Sequence, residues 1–99
     1  MSFTLQDGTY NKRFKIIFYD REMKKVKTTQ FGDKRYDNFT IHKDKKRRDL
    51  YRKRHHKDKI DEPMAPGSLS WFLLWNKTTL EASIKEYERR FGIIYIDTF

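Results

Sequence analysis

All three histidines of the chain lie between residues 42 and 62, in company with acids that can work beside them: His42, Asp44, His55, His56, Asp58, Asp61 and Glu62. Side chains of these types can hold a divalent metal for phosphodiester cleavage, provided three of them converge on one point and leave a position open. On a helix only Asp44 and His55 share a face, about 16 Å apart by helical rise, and His56 points elsewhere. The chain contains no nucleophile elbow, phosphate-cradling glycine loop or metalloprotease spacing, and Gly8, Gly32, Gly67 and Gly92 stand alone. The expectation is a protein without enzymatic activity, with no catalytic residue, no metal site and no cofactor.

The same stretch offers a second chemistry, and it is the stronger one. His42 to Lys59, HKDKKRRDLYRKRHHKDK, holds ten Lys or Arg against three Asp, which places +7 of the formal +9 in 18 of the 99 residues. The remainder is close to balanced, so the cationic surface is local. Charge gathered this way is what a phosphate-binding element needs, because releasing counterions from a polyanion gives affinity without reading a sequence. An acidic protein surface would attract the same charge, and a helix of this kind can also be a solvated face with no partner.

Asp44 reads as the N-cap of a helix running to about Lys57, since its carboxylate can accept from backbone donors of the first turn. Helical spacing places Asp44, Arg48, Tyr51 and His55 on one face, with Lys45, Arg52, Lys53 and His56 pointing away. Leu50 and Tyr51 are its core-forming residues, so the helix is weakly anchored. We expect Lys45, Lys46, Arg52, Lys53 and Lys57 to contact nucleic acid. Before it, Gly32 to Ile41 reads as a polar loop whose Tyr36 and Phe39 can stack on unpaired bases or turn inward as anchors.

The elements that must position this helix are legible on either side. Met1 to Asn11 lacks a sustained period and reads as an extended or flexible arm, leaving 12–99 as a single basic domain. Arg13 to Tyr19 alternates Phe14, Ile16 and Phe18 against Arg13, Lys15, Ile17 and Tyr19, the period of a half-buried strand, and Lys25 to Phe31 completes a hairpin with it. Ile60 to Ser70, with two prolines and a glycine, is a connection. Trp71 to Trp75 is apolar on every side, a short helix either fully buried or covering a patch meant for another chain. Thr78 to Glu81 matches a capping box, so a helix starts near Thr79, and Leu80, Ile84, Tyr87 and Phe91 give it a core stripe. Gly92 ends that helix and Ile93 to Ile96 reads as a last strand beside the hairpin.

Sixteen Phe, Tyr and Trp argue for a folded domain despite the charge. The fold class expected is α+β: a hairpin and a C-terminal strand packed with three short helices. No cysteine is present, so disulfides and thiolate metal sites are excluded. The longest apolar run is too short to span a bilayer, and MSFTLQDGTYNKR lacks the apolar centre of a secretory signal.

From Phe31-Gly32 through Tyr36-Asp37-Asn38-Phe39-Thr40-Ile41-His42-Lys43-Asp44, the chain resembles a family of small, basic, uncharacterised proteins of nucleocytoplasmic large DNA viruses, the giant viruses of algae and protists. The likeness continues through Arg47, Arg48, Tyr51, Arg54 and His55, through Pro66-Gly67-Ser68-Leu69-Ser70-Trp71 and Leu74-Trp75-Asn76-Lys77, and through Leu80, Ser83, Ile84 and Arg90-Phe91. Members of that family commonly carry an acid where this chain has Asn38, and small residues where it has Asp33 and Arg35, which speaks against a catalytic carboxylate at position 38. The resemblance implies a viral setting: a virion protein, present in the host cytoplasm or viral factory during assembly. Its partner would be the viral nucleic acid or, as the alternative, an acidic viral structural protein that it contacts as a minor capsid or cement component.

Overall fold

The structure is a computed structural model and describes residues 1–55 and 60–96. It is a small α+β domain built on one mixed four-stranded sheet. The strands are β1 (Ser2–Asp7), β2 (Lys12–Tyr19), β3 (Lys25–Asp33) and β4 (Ile94–Tyr95), and the helices are α1 (Phe39–His42), α2 (Lys45–Arg54), α3 (Pro66–Leu69) and α4 (Leu80–Phe91). A π-helical turn, Ser70–Leu74, continues α3.

The sheet runs β3-β2-β1-β4, antiparallel from β3 to β1 and parallel between β1 and β4. Its register sets Phe3 opposite Phe18, Leu5 opposite Ile16, and Phe14 opposite Phe31. Because side chains alternate across a strand, those residues share the face that helices cover. The covered face of β2 is as expected, with Ile16 and Phe18 fully buried, but Ile17 on the opposite face is buried too.

Two strand expectations change. The first eleven residues do not form an arm outside the domain: they are extended, but β1 is an inner strand between β2 and β4, and Phe3 is 0% exposed. Six residues are too few to show a period, and only Phe3 carries the burial. The C-terminal strand is shorter than 93–96 and pairs with β1 rather than with the hairpin. Strand β1 thus occupies the place beside the hairpin that the last strand was expected to take.

Helix α4 buries the stripe the spacing defined. Tyr87 and Ile84 are buried, with Leu80 and Phe91 packed at the margin, and the Tyr87 ring meets Phe3 edge-on at 5.3 Å. The Tyr87 hydroxyl donates to the Pro63 carbonyl at 2.7 Å, which ties the 60–65 connection to the core. Burial pushes its pKa up, so the group stays a donor. The cap is one residue later than the motif suggested: Thr79 accepts from Ala82 N at 3.1 Å. On the outer side of α4, Glu81 and Lys85 approach to 3.8 Å, Glu86 pairs with Arg89, and Arg90 reaches Asp61.

The tryptophan run is divided between two jobs. In the π-helical turn the Trp75 amide donates to Ser70 O, five residues back. Leu73 and Leu74 go into the core, while Trp71 and Trp75 stay half-buried on the side where α2 lies. The run is neither fully buried nor bare; the basic helix covers it.

Candidate nucleic-acid interface

Asp44 caps α2 as its position in the sequence suggests, accepting from Lys46 N at 2.9 Å and Arg47 N at 3.4 Å. The helix that follows buries no residue. Arg48, Tyr51, Arg52 and His55 sit at intervals of three, one and three, so they form one inward stripe, but a stripe of rings and guanidinium groups. Tyr51 lies flat on Trp75, 4.4 Å between centroids and 4° between planes, and His55 stacks on Tyr51 at 4.2 Å. The Arg52 guanidinium sits 5.2 Å over Trp71 and donates to Asn76 Oδ1 at 2.7 Å. Arg48 sits 5.0 Å over Phe39. Each such cation–ring contact contributes about 0.5–2 kcal/mol, more as it is desolvated.

That docking corrects two expectations, for Arg52 and Leu50, and settles the alternative left open for Phe39. Arg52 was assigned to nucleic acid; it is committed inward, and burial followed by the charge of Arg48 lowers its pKa from the ordinary value. Phe39 was a candidate for base stacking; at 1% exposed it is a core anchor under Arg48. Leu50, expected to be core-forming, is 58% exposed, because the turn that holds Arg48 over Phe39 and Arg52 over Trp71 faces Leu50 outward.

The other candidates are placed as follows. Lys45, Lys46 and Lys53 are exposed, and Tyr36 is 68% exposed. Helix α2 ends at Arg54, and Lys57, like His56 and Asp58, lies outside the described residues. Arg47 and Arg54, which the sequence reading omitted, are exposed on the same helix. Their separation of seven residues, two helical turns, was the available signal. Among the described residues, Lys45, Lys46, Arg47 and Arg54 have no carboxylate within ion-pair distance.

Asn38, buried at 3% exposure, starts α1 as its N-cap: its Oδ1 accepts from Thr40 N at 2.9 Å and from the Thr40 hydroxyl. His42 follows, with its ring 5.3 Å from Trp75, and its Nδ1 accepts from Asp44 N at 2.9 Å. The proton is therefore on Nε2, which is buried and has no partner among the described residues. Burial, then the Arg47 charge, holds His42 below the usual histidine pKa, against the weaker pull of Asp44 and Asp37.

A depressed folded-state pKa means the unfolded chain binds more protons below about pH 6.5, so stability rises with pH there. His42 accordingly stabilises the fold fully above that value and loses the contribution as pH falls toward its lowered pKa. Melting temperatures followed from pH 7 to 5.5 should fall more steeply for the natural chain than for His42→Asn. Asparagine keeps an acceptor for the amide two residues on and does not titrate. Equal slopes in the two chains would mean that His42 protonates freely in the fold.

Beside α2 lies an open groove of about 420 Å³. Tyr51 and His55 line one side, the start of β2 and the β3–α1 loop line the other, and Phe31, Leu74 and Trp75 supply apolar lining. Gly32, at φ 77°, permits this shape: a Cβ there would come within 2.7 Å of Leu74 Cδ1. The loop is braced by Arg35, which bonds Asp33 at 2.8 Å and holds that carboxyl down to about 2. Arg13 Nη2 donates to Tyr36 O at 2.9 Å.

Among the described residues no three His, Asp or Glu side chains are grouped to hold a metal ion, and no helix is long and apolar enough to cross a membrane. Residues 8–55 match the model of a family of unknown function, DUF5754. The matched span runs from the β1–β2 turn to His55 and takes in the hairpin, α1 and the whole cationic helix. No curated protein and no solved structure matches the chain.

Proposed function

We propose that this is a non-enzymatic, virion-associated protein that binds a polyanion, viral nucleic acid first, through the outer face of α2. The residues that carry it are Lys45, Lys46, Arg47, Lys53 and Arg54. One observation supports this reading above the rest: Lys45, Lys46 and Arg47 fill the first turn of α2, which holds no acid. The positive end of a helix dipole disfavours cations there, by about 0.3–1 kcal/mol each. A helix that only needed to be stable and soluble would place them at its other end. The viral setting rests on the resemblance in the sequence from Val26 to Phe91.

Nothing in α2 resembles a groove-reading module, so binding should be indifferent to sequence. Affinity for a duplex of about 20 base pairs, followed by fluorescence anisotropy across salt concentrations, should fall with a log–log slope of roughly −3 to −5, as four to six phosphate contacts require. A flat salt response, or no binding at low salt together with co-sedimentation with a capsid protein, would replace nucleic acid by an acidic structural partner.

A further inference from the structure

The groove beside α2 has features that a purely electrostatic helix does not need. Asn38 is almost completely buried, and while its Oδ1 is used by Thr40, its amide NH2 meets no acceptor among the described residues and borders the groove. That NH2 is a donor which a ligand acceptor in the groove can meet. Asp37, next to it on the rim, offers an acceptor. The two together form a donor–acceptor pair of the sort that reads the edge of a nucleobase.

The remaining lining fits the rest of a nucleotide. Trp75, Tyr51 and His55 form a continuous column of rings along one side, and Tyr36 stands exposed at the rim. Across from them, Lys12 and Arg13 place two cations at the groove. Arg13 is fixed by its bond to Tyr36 O and keeps a buried Nε without a partner among the described residues. A volume of about 420 Å³ admits one nucleotide. Tyr51 and His55 belong to α2 as well, so the groove runs along the inner side of the helix whose outer face carries the cations.

We propose that the groove takes one unpaired nucleotide of a single-stranded nucleic acid. Asn38 and Asp37 meet the base edge, Tyr36 stacks on the base, and Lys12 and Arg13 face its phosphate. This rests on the nucleic-acid reading of α2 and adds to it a preference for single strands, since only an unpaired base can leave the backbone and enter.

The test compares the full chain with Tyr36→Ala and Asn38→Ser. Serine preserves the helix cap and removes the amide donor; Tyr36 is exposed, so its loss leaves the fold intact. The probes are oligothymidylate of about twelve nucleotides and a duplex with the same number of phosphates. The natural chain should favour the single strand by roughly tenfold, as a base–aromatic stack contributes about 1–3 kcal/mol. Both variants should lose that preference with an unchanged salt slope and unchanged duplex affinity. Equal affinity of the natural chain for both probes, with a steep salt slope, overturns the groove assignment and leaves the α2 reading standing. Absence of binding to either probe overturns both. A single-strand preference that survives both substitutions also overturns the assignment.

Discussion

Reversing three charges at the start of α2, Lys45→Glu, Lys46→Glu and Arg47→Glu together, should abolish tight nucleic-acid binding without lowering stability. At 0.1 M salt each phosphate contact contributes about a factor of eight through counterion release, so three lost contacts predict a fall of about 10²–10³-fold. The salt slope should become shallower by about 3 for the same reason. Stability should move the other way. The three side chains are exposed, and glutamates at the positive end of the helix dipole are favourable by about 0.3–1 kcal/mol each. Thermal melts and anisotropy titrations on the same sample separate the two effects. An affinity within threefold of the natural chain would remove the first turn of α2 from the binding surface.

Replacing Trp75 with alanine should do the reverse, damaging the helix without touching a cation. The indole stacks on Tyr51, lies 5.3 Å from His42, and packs against the core cluster. A buried Trp→Ala change costs about 3–5 kcal/mol, and half-burial here points to the lower end, about 3. The loss falls unevenly. Helix α2 has ten residues and buries none, and an isolated helix of fewer than about 12–15 residues is marginal in water. With Tyr51 unsupported, the helix leans on the Arg48 and Arg52 contacts. Hydrogen exchange should therefore show the amides of α2 opening well before those of β2, and affinity for nucleic acid should fall although every cation is still present. If α2 amides keep their protection while the sheet loses stability, the tryptophan serves the core and not the helix.

These two variants also separate what the chain declares from what it conceals. Strand alternation in Phe14, Ile16 and Phe18, the Asp44 cap, the α4 stripe and the glycine that ends α4 are local patterns, governed by neighbours two to four residues away, and the structure realises each of them. The concentration of charge between His42 and Lys59 is likewise a property of order alone. Local pattern reached its end at β1, where a single fully buried residue, Phe3, marks a central strand, and at β4, whose pairing with β1 spans the length of the chain.

The site followed the same division. Lys45 and Lys53 could be placed outward from spacing, but Arg52 could not be placed and the choice open for Phe39 could not be made, because their surroundings are built by other segments. Trp71 and Asn76 capture Arg52 from 19 and 24 positions away along the chain, and Arg48 closes over Phe39. No helical wheel contains those partners. The groove was invisible for a stronger reason: its lining comes from β2, the β3–α1 loop, α2 and the turn before Trp75, and it exists only once these meet.

By itself, then, the order of residues determined that this chain is a small α+β domain with a cationic helix begun at Asp44, because caps, periods and charge are short-range. The tertiary structure alone decided which cations remain outside, which aromatic faces solvent, and that Asn38 borders an aromatic-lined groove. Those outcomes depend on which side chains from remote segments compete for the same space.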